Sequence, residues 1–162
     1  MEKHFAVSGF VMNQSHTKLL MVFHKKLGVW VIPGGHLEKD ECPSDGAKRE
    51  VLEETGVEAK ILNYSEANIQ SSAKEIQVPN PYVTLEEFIP EKNGKEAHIH
   101  IDFIYLAEAD ENQTLIKQEV EVNDVKWMTL AEVLDSNTFN SVKVMAMKTL
   151  KGGEYECGSF DS

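Results

Sequence analysis

The stretch VWVIPGGHLEKDECPSDGAKREVLEETGV, Val29 to Val57, narrows what this chain can fold into more than any other. It opens as a short apolar strand closed by Pro33, Gly34 and Gly35. Two glycines after a strand permit a tight bend and a close approach of backbone to a ligand. From about Ser44 to Thr55 the pattern is helical, with Ser44 or Asp45 placed to cap the helix and Gly56 to end it. A strand, a bend and a helix in so short a stretch call for a sheet with a helix layer packed on it.

The helix is also where negative charge concentrates. Glu50, Glu53 and Glu54 are spaced i, i+3 and i+4, and the pattern puts them on the side opposite Ala47, Val51 and Thr55. Like charges at this spacing cost about 0.2–0.5 kcal/mol per pair on an exposed helix. Such a face is either simply solvated or occupied by something positive. Hard carboxylate oxygens favour Mg²⁺, Mn²⁺ or Ca²⁺ over zinc, and the Gly34-Gly35 bend can add a carbonyl oxygen. Arg49, the only arginine in the chain, stands beside the cluster. Its guanidinium can hold a carboxylate in a two-pronged grip that lysine cannot copy, which would fix a ligand's rotamer.

The rest of the chain supplies the sheet. Strands are expected from about Phe5 to Met12 and Lys18 to His24, around the turn NQSHT, and again from about Glu58 to Tyr64. Residues 65–81 read as a polar surface loop. YVTLEEFIP and AHIHIDFIYLAEA are strand-like and flank Asn93-Gly94, a strong hairpin signal. VNDVKWM is a last strand, and Thr129 with Glu132 forms a capping box stapled by Met128 and Val133. A short helix to about Leu134 follows, and then a terminal helix stopped by Gly152. The expected fold class is α+β, a mixed sheet between helices. Residues 1–151 form one domain, and 152–162 form a flexible tail.

Charge and cysteine content bear on partners. A net charge of −11 makes nucleic-acid polymers and anionic membranes poor partners, while a small anion remains possible if cations cancel the local field. Two distant cysteines, Cys42 and Cys157, and an N-terminus unlike a signal peptide point to the cytoplasm. Oligomeric state stays open, a homodimer included.

Gly35, Glu41, Arg49, Glu50, Val51, Glu53, Glu54, Gly56 and Val57 together match, without gap or substitution, the box G-x5-E-x7-R-E-U-x-E-E-x-G-U, where U is apolar. In this the chain resembles the Nudix hydrolase family. The lead-in Trp-x-x-Pro-Gly-Gly and the late Trp127 strand running into a helix resemble it too. The resemblance implies an α/β/α sandwich around a mixed sheet. It also implies Mg²⁺-dependent hydrolysis, with Mn²⁺ as a substitute, of a diphosphate in a nucleoside di- or triphosphate or nucleoside diphosphate derivative. By position, Glu50, Glu53 and Glu54 are the expected metal ligands together with the Gly34 carbonyl, and Glu41 and Arg49 orient them. The family often carries an acidic residue about six positions before the late tryptophan, which points to Glu121 as a further catalytic residue.

Residues outside the box suggest the substrate pocket. His98, His100 and Asp102 alternate in HIHID, so they share one strand face, with Ile99, Ile101 and Phe103 on the other. They are expected to form a polar wall of the pocket; a second metal site or an ordinary solvent face are the alternatives. His36 after the bend is a candidate phosphate contact, against a plain exposed turn residue, and Lys25 and Lys26 before it either steer anions or are simply solvated. Trp30 and Trp127 are expected in the core. The loop at residues 65–81 is a candidate for recognising the base or leaving group. Two other functions use the same scaffold: a non-catalytic nucleotide-binding domain, which usually loses box glutamates, and a diphosphate isomerase, for which neither cysteine is well placed.

Overall fold

A computed structural model describes residues 1–118 and 122–152. Its elements in chain order are β1 (Lys3–Asn13), β2 (Lys18–His24), β3 (Val29–Val31), β4 (Gly34–His36), α1 (Pro43–Thr55), β5 (Lys60–Ile61), β6 (Val83–Ile89), β7 (His98–Ala109), β8 (Val122–Thr129), α2 (Leu130–Asp135) and α3 (Asn140–Thr149). The strands join in one mixed sheet. Its spine is a long parallel pair, β1 on β7, in register from Lys3 opposite Ile99 to Asn13 opposite Ala109. The remaining pairings are antiparallel.

The position of the glycine bend follows from how β1 and β2 part. They pair through Met12 and Leu19, close to their shared turn. Further along, β3 pairs with β2 and β4 pairs with β1, with Gly34 opposite Ser8 and Gly35 opposite Val7. The segment with the bend thus fills the opening of the sheet, anchored also by the Gly9 N–H, which donates to the Pro33 carbonyl (3.0 Å).

Alternation along the strands builds two cores. On one face Phe10, Met12, Leu19, Met21, Ile104 and Leu106 pack with Val133 of α2 and Val142, Met145 and Ala146 of α3. On the other, Val7, Val11, Leu20, Tyr105 and Ala107 pack with Ala47 and Val51 of α1. The sheet therefore lies between helices, as expected. Burial of each large apolar side chain contributes about 1.5–3 kcal/mol.

Several local expectations hold. Asn93 and Gly94 both take positive φ (52° and 79°), as a tight turn between β6 and β7 requires. Thr129 and Glu132 form the reciprocal capping box, and Met128 and Val133 are buried in one cluster. Gly56 ends α1 in a left-handed conformation, its N–H donating to the Leu52 carbonyl. Trp30 and Trp127 are half-buried at the edges of the two cores rather than at their centres.

Three boundaries differ. Helix α1 has Cys42, not Ser44 or Asp45, as its N-cap, with no side-chain cap. Pro43 presets the helical φ, so the first turn begins a residue early. The strand expected from Glu58 to Tyr64 shrinks to Lys60–Ile61, because β6 pairs with the rest of that edge of β7. Helix α3 ends at Thr149, before Gly152. Leu150 turns extended there and is buried in the core at 5% exposure. The tail from residue 153 onward, and Glu121, lie outside the described residues.

Candidate active site

The box acids do not share one exposed face. Glu54 follows Ala47 by seven residues, close to two turns at ~3.6 residues per turn, so it stacks on the buried stripe of Ala47 and Val51. It is 3% exposed, and its Oε1 accepts the Gly34 N–H at 2.7 Å. Glu50 also turns inward, its carboxylate lying against Gly35. Only Glu53 is well exposed. This corrects the expectation that all three lie opposite Ala47, Val51 and Thr55. The helix delivers two of its acids to the glycine bend because the bend has no side chains to exclude them. A Cβ built on Gly35 would sit 2.6 Å from the Glu50 carboxyl carbon.

Arg49 organises the cluster. Its Nε and Nη2 donate to the two oxygens of Glu41 (3.0 and 2.7 Å). Nη1 donates to Glu50 (2.8 Å) and Glu53 (3.2 Å), and Nη2 also reaches the His36 carbonyl (3.1 Å). Glu41 is tied as well to the Glu38 N–H (2.9 Å). The Arg49 fork holds the Glu41 carboxyl below its ordinary range, and Glu41, then Glu50, hold Arg49 more firmly protonated. One guanidinium thus ties two cluster acids and the backbone after the bend into one unit, with Glu41 as its anchor. The donors left for a cation are carboxylate and carbonyl oxygens, which suit a hard dication such as Mg²⁺. The Gly34 carbonyl lies in the same bend.

A second polar assembly lies beyond β4, on the α2/α3 face of the sheet. His98, His100 and Asp102 share a face of β7, as the alternation predicts, but they do not meet plain solvent. Asp102 is buried at 6% exposure and accepts from Ser8 Oγ through both oxygens (3.0 and 2.9 Å). Burial pushes its carboxyl upward, and that of Glu87, opposite His100 on β6, is raised by burial and then by the Asp102 charge. His98 and His100 are joined by His36 and by His4 of β1. Burial, followed by the neighbouring His36, His98 and His4, pushes the His100 imidazole down to about 4.

The structure therefore brings Glu41, Arg49, Glu50, Glu53, Glu54 and the bend into one cluster, and His36, His98, His100 and Asp102 into another. The two touch through His36, whose carbonyl serves the first and whose ring serves the second. Lys26 belongs to neither. It lies in the β2–β3 turn, where its carbonyl accepts from Lys92 Nζ, and among the described residues no contact ties its ammonium to the acids. In the loop at residues 65–81, Gln77 bonds Ser65, Ala67 and the Ile69 N–H. Its end lines a cavity of about 470 Å³ on the flank of α1, with Cys42, Lys48 and Ile61, away from the acids. Sequence reasoning missed His4, Ser8 and Glu87. The period-two alternation His4, Ala6, Ser8 was the available signal, but the partner strand that gives it meaning lies 94 residues on for Ser8 and Asp102.

Comparison with known proteins bears on the same residues. A family model described as the NUDIX domain matches residues 2–147. The chain is 41% identical over 56 residues to a MutT-like protein of Streptomyces ambofaciens, a stretch covering 35% of this chain and 36% of that one. It is 34% identical over 114 residues to a probable DHNTP pyrophosphohydrolase of Lactococcus lactis, covering 70% and 56% respectively. Thus the chain spans between about a third and somewhat over half of the length of these relatives. Among solved structures, a NUDIX-family hydrolase from Clostridium perfringens superposes with a TM-score of 0.73 at 27% identity, covering 90% of this chain and 95% of that one.

Proposed function

Because the chain belongs to the Nudix family, we propose that it is a Mg²⁺-dependent diphosphohydrolase, Mn²⁺ substituting, that cleaves a P–O–P linkage in a nucleoside di- or triphosphate or a nucleoside diphosphate derivative. The observation that carries this reading is the Arg49 hub, which holds Glu41, Glu50 and Glu53 while the Gly34 N–H holds Glu54. Glu50, Glu53, Glu54 and the Gly34 carbonyl would hold the cation. When bound there, it supplies positive charge against the phosphoryl oxygens and activates the attacking water.

The protein's own part is positioning. Arg49 restrains two of the acids before substrate arrives, so no reorganisation is needed at the moment of reaction. Glu41 orients Arg49. Gly34 N–H fixes the rotamer of Glu54, whose burial keeps it from swinging into water. Glu121 is proposed as a further acid for proton transfer. His36, His98, His100 and Asp102 form the polar wall beside the bend. The charge balance and cysteine content favour work on small molecules in the cytoplasm; among the described residues no helix is long and apolar enough to cross a membrane.

The test is a panel of nucleoside di- and triphosphates and dinucleotides, assayed with and without Mg²⁺. Glu53→Gln and Glu54→Gln should each lose at least ~10³-fold in kcat, equivalent to ~4 kcal/mol. Glutamine keeps an oxygen for the Gly34 N–H, so folding is expected to survive and is checked by circular dichroism. Near-wild-type turnover in either folded variant refutes the assignment. Metal-dependent turnover of any member of the panel excludes the non-catalytic alternative, and product analysis excludes isomerisation.

A further inference from the structure

We propose that His4, His36, His98 and His100 form a second metal site, a closed four-imidazole centre for a borderline dication of the Zn²⁺ class, separate from the box acids. The geometry carries the proposal. One ring nitrogen from each of the four lies within 4.8 Å of all the others. The rings run in a closed circuit: His4 to His98 at 4.6 Å between centroids, His98 to His100 at 4.9 Å, His100 to His36 at 5.0 Å and His36 to His4 at 5.6 Å. Zn–N bonds of ~2.0–2.1 Å in a tetrahedron put ligand nitrogens ~3.3 Å apart. His98 Nε2 and His100 Nε2 are already 3.1 Å apart, so one edge is at tetrahedral length, and the other nitrogens, all within 4.8 Å, close the tetrahedron by drawing in by up to about 1.5 Å.

The surroundings suit ligation. His98 Nδ1 lies 3.0 Å from the Glu96 carbonyl, to which it donates. That bond sets the tautomer and leaves the Nε2 lone pair facing the centre, the usual arrangement behind a ligating histidine. Three strands contribute: His4 of β1 is in register with His100 of β7, and β4 pairs with β1 through Ala6 opposite His36. The sheet thus holds the four rings together without help from a loop. Imidazole nitrogens select Zn²⁺, Cu²⁺ or Ni²⁺, whereas the oxygen cluster selects Mg²⁺, so the two centres take different ions from the same solution. Four protein ligands complete a tetrahedron, which makes this a bracing site that pins β4 to β1 and β7.

The experiment uses untagged full-length protein, stripped with chelator and kept in excess Mg²⁺ to occupy the acids. Zn²⁺ is titrated calorimetrically, and Co²⁺ is titrated by visible absorption. One equivalent of Zn²⁺ should bind, with tetrahedral Co²⁺ bands and a raised Tm. The affinity should fall at least ~100-fold in His4→Ala and in His98→Ala, and stay within a few-fold in Glu53→Gln. Because His4 is at the start of β1, its variant carries the test if His98→Ala does not fold. No Zn²⁺ binding in excess Mg²⁺, or binding lost in Glu53→Gln and kept in His4→Ala, overturns the proposal. Neither result depends on whether the protein hydrolyses a nucleotide.

Discussion

Replacing Arg49 with lysine keeps the charge and removes the fork, which isolates what the guanidinium geometry contributes. Arg49 makes five N–H···O contacts: two with Glu41 and one each with Glu50, Glu53 and the His36 carbonyl. A lysine ammonium has three donors at a single point, so at least two contacts are lost. Charge-assisted bonds are worth ~1.5–3 kcal/mol each in mutational terms. The Arg49 side chain is 22% exposed, so water recovers part of this, leaving a loss of stability of ~1–2 kcal/mol. For a domain of this size that is a fall in Tm of roughly 2–8 °C. The functional cost should be larger, because Glu50 and Glu53 lose their common restraint. A displacement of ~1 Å at reacting groups costs ~10²-fold, or ~2.7 kcal/mol. Arg49→Lys should therefore lower kcat about a hundredfold at saturating Mg²⁺, on whichever nucleotide the wild type turns over, and raise the Mg²⁺ concentration for half-maximal rate. The assay is initial-rate product release across a Mg²⁺ titration, paired with thermal denaturation. A folded Arg49→Lys protein within about threefold of wild-type kcat, with an unchanged Mg²⁺ requirement, refutes the hub as the source of preorganisation.

Gly35→Ala should fold but lose activity, because the new Cβ meets the Glu50 carboxylate at 2.6–2.7 Å and pushes it off the bend; wild-type kcat with an unchanged Mg²⁺ dependence contradicts the contact. Glu87 and Asp102 predict a pH dependence. Their folded values lie above the ordinary ones, to about 7 for Glu87 and about 6 for Asp102. Protonation therefore favours the fold: the contribution is complete below about pH 4 and is lost as pH rises through 6 to 7. Glu87→Gln mimics the protonated form, so its stability should fall less than the wild type's between about pH 5 and pH 8 in denaturant titrations. Parallel curves for the two proteins would remove the pair as the cause.

The glycine bend, the Asn93-Gly94 turn, the capping box at Thr129 and the alternation in HIHID were legible because each rests on local backbone geometry or on strand periodicity. The identity of the box acids was legible from their spacing. Their surroundings were not. The sequence reading put all three acids opposite Ala47, Val51 and Thr55, whereas Glu54 lies on the buried side of α1, where β4, entering the opening between β1 and β2, brings the Gly34 N–H to it. The end of α3 likewise depended on a distant core that takes up Leu150. The histidine cluster is the clearest case. His98 and His100 could be paired from period two, but His4 and His36 join them only through the registers of β1 with β7 and β4 with β1. What a segment does with its own backbone is written in neighbouring residues; which segments lie side by side is decided by burying two faces of one sheet at once, and only the folded chain carries that information.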